Sequence, residues 1–255
     1  MINNLFIIGN GFDLGHKLPT SYNNFQQWLF EEYPMSQKTN RFLVASPTTM
    51  PDGEEHISDA DLASFLVNCI NETTGGNWES FEEELGKIDW ELFFNQIEQV
   101  IDKDEDVDLW KTSYVKEDLT STLYANSIGF SSIFSQWIET ISYPKNITKN
   151  NFMSNYLKKS SIFLTFNYTK TLEDVYGIKS HQICHIHGKQ GGEIIIGHGG
   201  EMYNAHTHED SNDEYVYDSN YAIGMERLDE IDDLLRKPTQ KIIETTPFFK
   251  NLTKS

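Results

Sequence analysis

The sequence predicts an α/β fold: a parallel sheet whose first and second strands are separated by a large helical insertion. Three observations carry this expectation. Short strand-like runs, Leu5 to Ile8, Ile162 to Phe166 and Gln182 to Ile186, have the length of buried parallel strands. Each passes at once into polar or glycine residues, the pattern found where ligands sit at the carboxyl ends of such strands. Between the first two, across about residues 57–158, apolar residues recur mainly at helical spacing.

The first strand runs into Gly9-Asn10-Gly11. Two residues without a Cβ, free to take positive φ, would let a diphosphate approach the N–H groups of the turn. Asn10 and Asp13 would point polar side chains into the same crevice. Glycine pairs are common at strand-to-helix turns, but here the sequence continues into LPTSY. Pro19 fixes φ, and Thr20 or Ser21 is placed to cap a helix from Tyr22 to Phe30, with Phe25, Trp28 and Leu29 at helical spacing.

Residues 33–56 are polar and broken by Pro34, Pro47 and Pro51-Asp52-Gly53, as in a surface connection. Asp61 to Ile70 carries an apolar helical stripe of Leu62, Phe65, Leu66 and Cys69. Asn77 to Trp90 reads as a second helix, capped by Asn77 and acidic in its first turns. Its glutamates Glu79, Glu82, Glu83 and Glu84 suit a solvated face, with Glu82 or Glu83 the candidates for facing a cleft. Leu92 to Ile101 and Leu109 to Ile141 keep helical spacing. Trp110, Leu119, Leu123, Ile128, Phe134, Trp137 and Ile138 are their core candidates, and Tyr143-Pro144 ends the run.

The second strand ends in Asn167-Tyr168-Thr169, and Lys170 to Tyr176 reads as a helix start. The third closes on His187-Gly188. A fourth, Glu193 to Ile196, closes on Gly197-His198-Gly199-Gly200. Glu201 to Asn220 lacks periodicity and reads as a loop. The tail has two helical faces, one with Leu228, Ile231, Leu234 and Leu235, the other with Ile242, Ile243, Phe248 and Phe249.

A net charge of −19, with 39 acids against 20 Lys plus Arg and no basic run, argues against nucleic acid as a partner. Cys69 and Cys184 form no CxxC and read as free thiols of a reducing compartment. The start carries no basic leader, and no apolar run is long enough to span a membrane, so a cytoplasmic protein is expected. Thirty-three aromatic residues (16 Phe, 12 Tyr, 5 Trp) point to a folded chain, read as a single domain over 1–255.

If the strands are neighbours, Asn10 and Asp13, Asn167 and Thr169, and His187 with Gly188 converge. Cleavage of a ribose–base bond passes through an oxocarbenium-like state and needs groups that hold ribose hydroxyls and position a nucleophile. Asn167 would orient ribose or water, and His187 would accept a proton. The plainer roles are a helix cap for Asn167 and a backbone-satisfied strand-end imidazole for His187. A rival chemistry uses the histidines: His181, His185, His187, His198, His206 and His208 lie within 28 residues. Alternation puts His185 and His187 on one strand face, and with Glu209 or Asp210 they would suit a metal-dependent hydrolase or nuclease.

The blocks IIGNGFD, LPTSY, WESFEEELGKID, FLTFNYTKTLEDVYG, HIHGK and IIIGHG, in that order, resemble the bacteriophage abortive-infection AbiH family, as does KPTQKIIETTPFF from Lys237. Members of that family typically continue into a further strand with a Gly-His-Ser type motif, which is lacking up to Ser255, so the resemblance leaves the last strand open. There is a more distant resemblance to sirtuin-like NAD-consuming domains, through Gly9 and Pro19, Thr165 and Asn167, and His187 and Gly188. Asp13 stands where those domains have Ser, and Thr169 where they have Asp. This similarity implies a Rossmann-like, sirtuin-like parallel sheet. It implies that Gly9, Asn10 and Gly11 hold the diphosphate of NAD, that Asn167 serves its ribose side, and that His187 acts as base. Phe12, Asp13, Pro19, Thr20 and Ser21, with Thr165, Tyr168, Gly188 and His198, complete the expected nucleotide-binding set. The expected activity is NAD hydrolysis in anti-phage defence, with NAD as substrate and no metal. A non-catalytic nucleotide-sensing module is the alternative of a different kind, and a homo-oligomer stays open.

Overall fold

The computed structural model describes residues 4–38, 44–95, 100–101, 108–150, 154, 161–200 and 219–252. A three-stranded parallel sheet organises the site, with β1 (Asn4–Ile8), β4 (Ser161–Thr165) and β5 (Ile183–His185) in the order β1-β4-β5. The register pairs Ile8 with Thr165 and Thr165 with His185, so the three strands end level with one another. Their apolar residues pack by alternation. Phe6 and Ile8 of β1 lie on the face that carries Phe163 and Leu172, and the Phe6 and Phe163 rings stack 5.3 Å apart. β1 is less buried than its composition predicts: Leu5 and Ile7 face outward, with Ile7 66% exposed. A short antiparallel ribbon pairs β2 (Thr48–Thr49) with β3 (Glu55–His56).

The chain divides into two compact units. The first comprises Met1–Trp28, Phe134–Ile196 and Pro238–Ser255, and the second Leu29–Ile133 and Gly197–Lys237. The first holds the sheet, α1 (Gly11–Gly15) and α7 (Thr171–Asp174), and α2 (Tyr22–Glu32) begins in it. Ser21 caps α2, its Oγ accepting from Asn24 N at 3.2 Å, and Phe25 and Leu29 are buried as predicted.

The second unit is mostly helical. α3 (Asp59–Thr74) starts at Ser58, whose side chain accepts from Asp61 N, and stops at Gly75 in the left-handed conformation. Leu62, Phe65, Leu66 and Cys69 are buried, and Cys69 and Cys184 are free thiols. The helix predicted over Asn77 to Trp90 is instead two, α4 (Phe81–Leu85) and α5 (Trp90–Asn95), because Gly86 ends the first. A Cβ at Gly86 would sit 2.5 Å from the His198 ring. Asn77 caps no helix but closes a local turn onto Glu79 N. Glu82 pairs with Lys237 and Glu83 with Lys87, and neither lines the cavity described below.

α6 (Leu109–Thr140) runs as predicted, with Leu123, Phe134, Trp137 and Ile138 buried but Trp110 and Ile128 exposed. α8 (Ser219–Leu234) buries Leu228 and Ile231 on one face and leaves Leu234 outward, while Leu235 beyond its end is buried. The second tail face differs from expectation: in α9 (Thr239–Thr245) and α10 (Pro247–Leu252) none of Ile242, Ile243, Phe248 and Phe249 is fully buried. Glu193 to Ile196 forms no strand; Ile194 makes only a single antiparallel bridge, to Gly188. Among the described residues no helix is long and apolar enough to cross a membrane.

Candidate functional site

A cavity of about 80 Å³ opens in the first unit beside the level ends of β1 and β4. One water needs roughly 10–15 Å³ by this kind of measure, so the space suits one ring-sized group rather than a whole dinucleotide. Its polar lining is Asn10, Asp13, Thr20, Asn167 and Thr169, and its apolar walls are Tyr22, Phe134, Trp137, Ile138, Phe166 and Tyr168. Segments from 10 to 22 and from 166 to 169 are thus brought together with the C-terminal turns of α6. The aromatic walls brace one another, Phe134 meeting Tyr168 edge-on at 5.1 Å.

The Asn167-Tyr168-Thr169 turn is held by its backbone. Asn167 N donates to Thr165 Oγ1 at 3.1 Å, the Asn167 carbonyl faces His185 Nδ1 at 3.2 Å, and Gln190 N donates to the Tyr168 carbonyl at 2.8 Å. Tyr168 Oη donates to the Ile195 carbonyl at 3.1 Å. The Asn167 side chain is another matter. The residue is 7% exposed, yet neither Oδ1 nor Nδ2 makes a well-aligned hydrogen bond; the side chain reaches only as far as a weak interaction with the Asp13 carboxylate, and Thr20 Oγ1, in the same lining, is buried without a partner. Asn167 therefore does not cap α7, whose cap position is Lys170. Buried polar atoms without a well-aligned hydrogen bond are uncommon, and here three of them belong to side chains lining one cavity.

Asp13 forms the floor of the polar side. Its two carboxylate oxygens accept from Thr169 Oγ1 at 2.6 Å and Thr171 Oγ1 at 2.7 Å. The two positions that depart from the sirtuin-like pattern are therefore hydrogen-bonded to each other. Burial raises the Asp13 pKa above the ordinary carboxylate value, opposed by these hydroxyls, by the charge of His16 and, least, by the Asn167 side chain. Asn10 Nδ2 donates to the Thr20 carbonyl at 2.8 Å, tying the glycine turn to the LPTSY segment.

Gly9 and Gly11 are not in the cavity lining and differ from expectation in their backbone as well. Neither has positive φ, and a Cβ on either would meet open space. Their smallness leaves the turn accessible but no backbone conformation demands it. Phe12, Pro19, Ser21, Thr165, His187 and Gly188 do not line the cavity. Phe12 packs under the sheet, Pro19 is exposed and Ser21 caps α2. His187 sits in the turn after β5, its ring 5.5 Å from Phe166 and 6.3 Å from Tyr168, both cavity walls. Gly188 does need to be glycine, with φ +81° and the Glu193 carbonyl oxygen where a Cβ would stand. His198 belongs to the second unit, where its Nε2 lies 3.3 Å from Asp232 Oδ1.

The described residues contain no group of three or more His, Cys, Asp or Glu side chains arranged for a metal. His185 and His187 do not pair for one: β5 ends at His185, whose Nε2 is 3.0 Å from Glu173 Oε1. His206, His208, Glu209 and Asp210 lie outside the described residues. Sequence reasoning passed over Tyr22, Phe134, Trp137, Ile138 and Phe166 as cavity walls, since aromatic and aliphatic residues at helical spacing carry the same signal in a wall as in a core.

A family model described as bacteriophage abortive infection AbiH matches residues 5–255. The chain belongs to the AbiH family. No curated protein and no solved structure matches it. In this AbiH protein the family match takes in every residue of the cavity lining.

Proposed function

We propose that this AbiH protein acts in abortive infection by binding NAD at the first unit's cavity and hydrolysing its nicotinamide–ribose bond. In this reading the sheet is the core of a Rossmann-like, sirtuin-like domain, and the residues between β1 and β4 are an insertion. The observation that carries it is the buried carboxamide of Asn167, without a well-aligned hydrogen bond beyond the level ends of the strands, with Thr20 in the same lining. A group able both to donate and to accept, preorganised by its backbone, suits the vicinal hydroxyls of a ribose. The volume takes the ribose and its bond to the base, while the diphosphate crosses the open surface at Gly9 and Gly11.

In the reaction the C1′–N bond breaks, the electron pair leaving with the nicotinamide nitrogen. Water then adds to C1′ and surrenders a proton to His187, reached past the Phe166 and Tyr168 rings. The reaction needs no metal, and NAD is consumed in the cytoplasm as a substrate. A nucleotide-sensing module is the second reading, favoured by the position of His187 outside the lining.

Calorimetric titration of NAD, with chromatography for released nicotinamide, tests both. Asn167→Ala is expected to abolish binding and His187→Ala to abolish turnover while sparing binding. Binding without turnover in the native chain selects the sensor. Neither binding nor turnover overturns the NAD assignment.

A further inference from the structure

His185 closes the turn that presents Asn167. Its ring is buried, the side chain being 8% exposed, and both nitrogens meet oxygens that accept hydrogen bonds. Nδ1 faces the Asn167 carbonyl at 3.2 Å, and Nε2 faces Glu173 Oε1 at 3.0 Å. A carbonyl and an ionised carboxylate offer no proton, so both contacts are hydrogen bonds only when the ring carries two protons. The Glu173 carboxylate faces a second cation, Lys189 Nζ at 2.9 Å on the same oxygen. Glu173 on α7 and the Asn167 carbonyl beyond β4 meet the ring, and Lys189 beyond β5 meets Glu173.

We propose that His185 is a positioning residue: held as an imidazolium between Glu173 and the Asn167 carbonyl, it fixes the turn that aims the Asn167 carboxamide into the cavity. The inference rests on the nucleotide reading for its functional consequence, but its structural part stands apart from that reading. A ring with one proton keeps the stronger bond to the carboxylate and turns a lone pair on Nδ1 toward the Asn167 carbonyl. The carboxamide then loses its fixed aim, and affinity falls though no residue touching the ligand has changed.

Three readouts test this on the full chain, in the native protein and in His185→Gln and Glu173→Gln. They are imidazole nitrogen chemical shifts at neutral pH, amide hydrogen exchange at Asn167 and Gln190, and NAD titration. The native ring is expected to show two protonated nitrogens, and Glu173→Gln to lose one of them. Both variants are expected to exchange these two amides faster and to bind NAD roughly fivefold to tenfold more weakly, the worth of about one hydrogen bond. Glu173→Gln keeps the test open should His185→Gln fail to fold. A native ring with a single protonated nitrogen overturns the proposal, as do variants that exchange and bind like the native chain. If native protein binds no NAD while shifts and exchange behave as expected, the positioning role holds and the nucleotide reading falls.

Discussion

Replacing Asn167 by leucine is the most informative single change. The carboxamide is buried and neither of its polar atoms makes a well-aligned hydrogen bond. Leaving such a group unpaired costs about 1–3 kcal/mol by mutational measures, and water admitted to an open cavity offsets part of it. Leucine has the same branching, carries no polar atom, and has the adjoining 80 Å³ for its extra volume. Asn167→Leu is therefore expected to raise stability by about 1–2 kcal/mol. For a chain of this size that is a rise of roughly 2–8 °C in Tm. The same change should remove the stabilisation by ligand, which for a single site at a hundredfold excess over Kd is about 2.7 kcal/mol. Urea unfolding and scanning calorimetry, with and without NAD, measure both effects. Loss of more than about 1 kcal/mol in the absence of ligand would refute the reasoning, since it would mean that the amide holds the native turn together.

Three further outcomes are expected. Thr169→Val removes a hydroxyl from the Asp13 carboxylate and should destabilise the protein by about 1.5–3 kcal/mol. Because the folded pKa of Asp13 is already raised, that loss is largest where Asp13 is ionised and shrinks as pH is lowered below its folded pKa, in urea unfolding at a series of pH values. Burial pushes Glu173 up, but hydrogen bonds from His185 and Lys189 prevail and bring it from 4.5 to about 2. Its contribution is then present above about pH 4.5 and lost as pH falls toward 2; it is on the order of 3 kcal/mol, and Glu173→Gln should flatten acid unfolding across that window. Gly188→Ala, with φ +81° and a carbonyl oxygen 1.9 Å from the new Cβ, should cost about 3 kcal/mol in chemical unfolding.

Much of the site was legible before folding. Glycine and polar residues after short apolar runs marked the strand ends, and three such ends do lie level with one another. The distinction between Asn10, Asp13, Thr20, Asn167 and Thr169, which line the cavity, and His187, which does not, was not legible. A strand period of two residues sets which way a side chain points, but His187 lies past the last residue of β5, where turn geometry takes over. The Glu193 to Ile196 run failed as a strand for a related reason: Gly188 turns the chain back so that Ile194 bridges it antiparallel. The helix expected over residues 77–90 was divided because Gly86 packs on a histidine ring 112 positions away.

By itself the sequence determined several local elements: three strands from apolar runs, the start of α2 from Ser21, and the long α6 from its spacing. Those depend on neighbours within a turn or two, and the chain carries that information directly. Only the tertiary structure decided that each Asp13 oxygen accepts from a threonine, Thr169 or Thr171, while the Asn167 carboxamide makes no well-aligned hydrogen bond. Whether a buried polar group is satisfied depends on atoms more than 150 residues away in the chain, and no local pattern records that.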